Sequence, residues 1–200
     1  MIAIIDYGMG NLYSVEKAFA QMGAEAVITG SADVILQADK VILPGVGAFG
    51  DCMSNLREYK LVPVIKETVA SGKPFLGICL GLQLLFEGSE EDPGVAGLGI
   101  LPGLVKKIKA PGLKVPHMGW NSLELKNRSP LFSGLTASSY VYFVHSYHAV
   151  PGDPSLITAV TGYGEAVTAA VGRGNLQAVQ FHPEKSGTVG LKILQNFKEL

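Results

Sequence analysis

A cysteine set between glycines, Gly77-Ile78-Cys79-Leu80-Gly81, follows one apolar run and opens another. Glycines so spaced let the chain turn sharply from a strand into a helix, which leaves the central side chain exposed at the strand's carboxyl end as a nucleophile elbow. There Cys79 also meets a helix N-terminus, whose dipole favours thiolate. A free thiol with a pKa of about 8.5 is only a few per cent ionised at pH 7, and a downward shift of about two units makes thiolate the main form. Such a nucleophile needs an acid–base partner. His182-Pro183-Glu184 follows an apolar strand over 178–181, and residues two apart on an extended chain point to the same side. Glu184 can hold the His182 imidazole in one tautomer and support its charged form while the other ring nitrogen serves Cys79. Pro183 stiffens that geometry. Attack on a carbonyl also needs donors for the oxyanion. The backbone N–H of Leu80 supplies one, and Pro44-Gly45-Val46-Gly47, after a further strand, offers a second from Val46 or Gly47, its glycines allowing close approach or a peptide flip. Taken singly, each segment also fits a plainer part: a buried cysteine in a turn, a solvated strand end, a tight strand-to-helix connection. Their combination points to thiol-based attack on a carbonyl.

These segments lie far apart in the chain, so the fold must bring them together. Residues 2–5 read as a buried strand, and Asn11 as the cap of a helix with Leu12, Val15, Phe19 and Met22 on one face and Gly23 at its end. Strands over 26–29 and 40–43 with a short helix over 31–37 repeat the unit. Helices near 51–59 and 62–70, a strand over 73–78 and a helix from Cys79 to about Phe86 complete the first half. Strands alternating with helices predict a parallel sheet with right-handed crossovers. Beyond about Gly97 the pattern changes to strands over 104–109, 121–125, 140–150, 156–161, 166–171 and 176–181, many joined by Gly or Pro, and an amphipathic helix over 186–200. The fold class is therefore α/β, with a mostly parallel central sheet flanked by helices and a mixed or antiparallel β extension from the second half, in one domain over 1–200.

Composition agrees. Charged residues are 16% of the chain, against roughly 25% in typical domains, and there are 25 glycines in 200 residues. Few charges and many glycines suit strands buried on both faces and joined by tight turns. A chain of this length buries about 70% of its unfolded surface and needs no disulfide or structural metal to fold. The net charge is −1 and no basic run exceeds Lys106-Lys107, so the footprint of a nucleic-acid or anionic-membrane binder is missing. The uncharged central stretch 74–86 is too short to span a bilayer, and the first residues have no basic region, long apolar segment or cleavage site of a signal peptide. Cys52 and Cys79 form neither a disulfide framework nor a metal spacing. A reducing cytoplasm is the expected compartment, with no metal and no cofactor.

Pro-Gly-Val-Gly at 44–47, the Gly-Ile-Cys-Leu-Gly elbow and Phe-His-Pro-Glu at 181–184, in that order, resemble the class I (triad) glutamine amidotransferases, and the likeness spans nearly the whole chain. Three further segments narrow it: Asp6-Tyr7-Gly8-Met9-Gly10-Asn11, Pro116-His117-Met118-Gly119-Trp120-Asn121, and Tyr142-Phe143-Val144-His145-Ser146-Tyr147-His148. Together they are similar to the glutaminase subunits of imidazole glycerol phosphate synthase, in histidine biosynthesis.

The resemblance implies that Cys79 attacks the side-chain amide of glutamine, that His182, oriented by Glu184, protonates the departing ammonia, and that water then releases glutamate from a thioester. It implies that Gln83 reaches back over the elbow to the substrate, that Glu91 meets its α-ammonium, and that Ser146 and Tyr147 contact its backbone atoms. It further implies a heterodimer with a (β/α)₈-barrel cyclase subunit, which receives the ammonia and makes imidazole glycerol phosphate and an aminoimidazole carboxamide ribotide. Met9, Asn11, Trp120 and Lys185 resemble that interface. From the residues alone, Gln83 also reads as a helix-surface amide, Glu91 as one acid of a solvated run, and Trp120 as a core aromatic. Met118 is open, His117, His145 and His148 read as structural, and Cys52 as an inert core thiol. Three alternatives share the elbow: an amidotransferase domain serving pyridoxal phosphate, anthranilate or guanylate synthesis, a cysteine peptidase-like hydrolase, and an inactive binding module.

Overall fold

All four residues of Ile2–Ile5 are buried, which a strand sustains only with helices packed on both its faces. In the computed structural model, which describes residues 1–136 and 139–200, this strand, β1, lies inside an eight-stranded sheet. The first half adds α1 (Leu12–Gln21), β2 (Ala26–Thr29), α2 (Ala32–Gln37), β3 (Lys40–Gly45), α3 (Phe49–Glu58), α4 (Leu61–Ala70), β4 (Phe75–Cys79) and α5 (Leu80–Gln83). The second half adds β5 (Gly88–Ser89), β6 (Gly103–Lys107), β7 (His117–Ser122), β8 (Glu124–Leu125), β9 (Tyr140–His145) and β10 (Tyr147–Pro151). It closes with β11 (Ile157–Tyr163), β12 (Glu165–Arg173), β13 (Leu176–Val179) and α6 (Gly187–Lys198).

The main sheet runs β2-β1-β3-β4-β13-β12-β11-β8. Its first five strands are parallel and the last three join antiparallel. Side-chain alternation divides the core between the two faces. Ala3, Ile5, Val41 and Leu43 point toward Ile35, Phe49, Met53 and Ile65 of α2, α3 and α4. Ile2, Ile4, Ile42 and Leu76 point toward Val15 and Phe19 of α1 and Ile193, Leu194 and Phe197 of α6. Each large aliphatic or aromatic side chain so buried contributes about 1.5–3 kcal/mol against conformational entropy. No helix among the described residues is long and apolar enough to cross a membrane.

The second half departs from the expectation in detail. The strand expected over 140–150 is two strands, split at Ser146. His145 pairs with His117 in the two-stranded sheet β7-β9, while Tyr147 pairs with Lys107 in the three-stranded sheet β10-β6-β5. The strand expected over 121–125 begins at His117 and breaks at Leu123. The helix expected to reach Phe86 is the single turn α5. Leu80, Leu82, Leu84, Leu85 and Phe86 are all buried, so that apolar run reflects burial on every side and carries no helical face. Asn11 forms no side-chain capping bond on α1; its amide instead reaches the Glu184 carboxylate. One feature positions the site: β3, β4 and β13 are neighbours with parallel carboxyl ends, and Gly45 lies beside Cys79 in register.

Candidate active site

Cys79 ends β4 with φ 55° and ψ −112°, a left-handed conformation that a side chain adopts only when its surroundings enforce it. The enforcement is close packing at the two flanking glycines. A Cβ on Gly81 would lie 1.9 Å from the Leu43 carbonyl oxygen, and one on Gly77 would lie 2.9 Å from the Gly81 carbonyl. The elbow therefore presses against β3, and no larger residue fits. The strained turn projects the thiol into a cavity of about 320 Å³.

From the end of β13, one strand away, the chain delivers His182 and Glu184. His182 Nδ1 donates to Glu184 Oε1 at 2.8 Å, with both side chains nearly inaccessible, and His182 lines the same cavity as Cys79. Burial alone would push the His182 pKa down. The hydrogen bonds to Cys79 and Glu184, reinforced by their charge, outweigh it and raise the value to about 10. Asn11 Nδ2 donates to the same Oε1 at 3.5 Å, while Glu184 Oε2 is buried without a hydrogen-bond partner among the described residues.

The cavity is walled by Val46 and Gly47 after β3, by Leu80, Gln83 and Glu91, and by Ser146 and Tyr147 at the junction of β9 and β10. Every residue expected at the oxyanion or substrate is thus on one wall or another. Gly47 has φ 96°, and the Val46 carbonyl accepts from the Cys52 thiol at 3.5 Å. Gln83 is buried, not a helix-surface amide; its Nε2 donates to the Tyr147 carbonyl and to Gln180 Oε1, each at 2.9 Å. Glu91 Oε2 accepts from the Phe49 N–H at 3.0 Å, and burial raises its pKa.

Pro116, Val144 and His145 also line the cavity, and none was expected there. His145 reads as structural in the sequence because nothing local shows that β9 ends at the pocket. It lies in a hydrogen-bonded row: Asn121 Nδ2 donates to His117 Nε2, His117 Nδ1 to His145 Nε2 at 3.0 Å, and His145 Nδ1 to the Tyr147 carbonyl at 2.8 Å. His148 lies apart, its Nδ1 accepting from the Thr168 N–H.

The residues expected at a partner interface do not line the cavity. Met118 and Trp120 point outward from β7, 62% and 56% exposed, so Trp120 is not a core aromatic. Trp120 meets Tyr142 of β9 edge to face at 6.2 Å, and Lys185 is exposed directly after Glu184 in the chain. Met9 is partly buried against the core next to Gly47. Among the described residues no group of three or more His, Cys, Asp or Glu is placed to hold a metal ion.

The fold is that of the amidotransferase domains. A solved structure described as glutamine amidotransferase superposes with a TM-score of 0.78 at 22% identity over 100% of this chain and 98% of the other. PurLQS from Thermotoga maritima gives 0.79 at 22% identity, over 99% and 97%. The family model "Glutamine amidotransferase class-I" matches residues 3–200. Two relatives named imidazole glycerol phosphate synthase subunit HisH are far more similar. That of Thermosynechococcus vestitus is 56% identical over 100% of this chain and 96% of its own, and that of Syntrophotalea carbinolica 53% over the whole of both. The chain belongs to the class-I glutamine amidotransferases, within their HisH family.

Proposed function

We propose that this chain is the glutaminase subunit of an imidazole glycerol phosphate synthase, freeing ammonia from glutamine for a (β/α)₈-barrel cyclase partner in the cytoplasm. The observation that carries the reading is the 2.8 Å His182–Glu184 pair facing an elbow cysteine in a cavity of about 320 Å³.

In the proposed reaction the Cys79 sulfur attacks the carboxamide carbon of glutamine, and the charge gathering on its oxygen is met by the N–H groups of Leu80 and of Val46 or Gly47. His182 gives its Nε2 proton to the nitrogen, the C–N bond breaks and ammonia leaves a thioester. The neutral imidazole then takes a proton from water as its oxygen attacks the thioester. Collapse breaks the C–S bond, frees glutamate and restores the thiolate–imidazolium pair. Glu184 holds the ring's tautomer throughout. Both hydrogens on Gln83 Nε2 are committed to protein acceptors, so its Oε1 is the atom left for the substrate. Glu91, with one oxygen held by Phe49, offers the other to the α-ammonium, and the Ser146–Tyr147 junction faces the glutamine backbone.

The cyclase is proposed to dock on the outward face of β7 and β9, around Met118 and Trp120, with Met9, Asn11 and Lys185 at its margin. Asn11 reaches both that margin and Glu184, which gives docking a route to the triad.

Glutamate release by the pure chain, alone and with ligand-loaded imidazole glycerol phosphate cyclase, tests the reading. Little release alone and a large rise with the cyclase is the expected result. Release that the cyclase leaves unchanged points to another acceptor, and folded protein silent in both settings removes the enzyme.

A further inference from the structure

We infer that Gln180 is a second hydrogen-bond donor to the Cys79 sulfur, locked in the donating orientation by Gln83. The inference rests on reading Cys79 as the nucleophile. Gln180 lies between β13 and His182 with no exposed surface, and a buried amide must satisfy both of its ends. One end faces Cys79 at 3.8 Å and the other faces Gln83 at 2.9 Å.

Which end faces the sulfur follows from an acceptor that has no choice. The Tyr147 carbonyl can only accept, so the Gln83 side chain must present its nitrogen there. The second hydrogen of that nitrogen points to Gln180, which must therefore present its oxygen. The Gln180 nitrogen is left to donate to Cys79. A donor beside the sulfur favours its charged form over the neutral one, as the imidazolium does from another side. This support matters because α5 is a single turn and brings little of the dipole that a full helix would supply. Gln83 lines the cavity while Gln180 touches the reacting atom, so the same two amides link the substrate wall to the nucleophile.

The titratable groups around Cys79 are His182, backed by Glu184, then Tyr7 and Cys52 from beneath, and Glu91 and His145 across the cavity. Burial pushes Cys52 up to about 11 and Tyr7 well above its usual value, and holds His145 down at about 3. Cys52, Tyr7 and His145 therefore each keep one charge state between pH 5 and 9.

The test is the rate of Cys79 alkylation by iodoacetamide from pH 5 to 10, read by peptide mass spectrometry so that Cys52 is counted separately, in Gln180→Leu and Gln180→Glu. The half-maximal pH should rise by about one to two units in both, the worth of one hydrogen bond to a charged group, and more in Gln180→Glu. Glutamine hydrolysis in the presence of the cyclase should lose roughly ten- to a hundredfold in kcat while KM stays within about threefold. A folded Gln180→Leu whose alkylation profile superimposes on the wild type overturns the inference. Should Gln180→Leu not fold, Gln180→Glu, of the same shape, decides by the same profile. If the wild type hydrolyses no glutamine at all, the proposed function falls, and the alkylation profile still judges Gln180 separately.

Discussion

The backbone of Gly81 passes so close to the Leu43 carbonyl that a β-carbon would lie 1.9 Å from its oxygen. The contact joins the elbow to the neighbouring strand, so the position of the thiol depends on a hydrogen atom where other residues carry a methyl group. Gly81→Ala should cost roughly 2–4 kcal/mol in urea denaturation and abolish glutamate release. Gly162→Ala is the control, since nothing lies within 4 Å of a Cβ there and its stability should move by less than about 0.5 kcal/mol. Equal effects in the two variants would show that the elbow tolerates displacement.

In the proposed reaction the His182–Glu184 pair divides its labour unequally: there His182 moves the protons, whereas Glu184 holds it, and a water can partly replace a holder. His182→Ala should lower kcat by about 10³-fold or more and Glu184→Ala by roughly 10- to 100-fold, with Cys79→Ala folded and inactive. The reverse order of the two would reassign their roles; full activity in Cys79→Ala would remove the thiol from the mechanism.

The buried histidines next to the cavity should make the fold acid-sensitive. Burial lowers His117 to about 4 and His145 to about 3, against about 6.5 in an unfolded chain. Below pH 6.5 the unfolded chain therefore binds more protons than the folded one, and stability falls as pH drops from 6.5 toward those values. His182 acts oppositely: raised to about 10, its contribution is complete below pH 6.5, fades as pH climbs from there and is gone above about 10. The urea midpoint should drop between pH 7 and pH 5, and drop less in His145→Gln. The same loss in both proteins would acquit the pair.

Trp120 supports nothing in the core, being 56% exposed, so Trp120→Ala should melt within a few degrees of the wild type. As an interface anchor it should weaken binding to the cyclase by roughly 30-fold or more in titration calorimetry. Unaltered affinity would move the docking face elsewhere.

Local rules made much of this protein legible in its sequence. Glycines spaced around Cys79 encode a sharp turn, a His and Glu two apart encode a shared side, and alternating apolar runs encode strands between helices, because each depends on residues a few positions apart. Elsewhere local pattern misleads. The apolar run after Cys79 has no face because all sides are buried, and residues 140–150 keep a strand pattern through Ser146 although the chain changes partner there, from His117 at His145 to Lys107 at Tyr147. Asn11 has the composition of a helix cap, yet its amide reaches Glu184, 173 residues away. Gln180 looks like one polar residue before a recognisable motif, and only the adjacency of β4 and β13 sets it on a sulfur 101 residues distant. Residue types and short spacings determined which groups can react; the order of strands in the sheet decided which of them meet, because hydrogen bonds across that separation exist only after the backbone has chosen its neighbours.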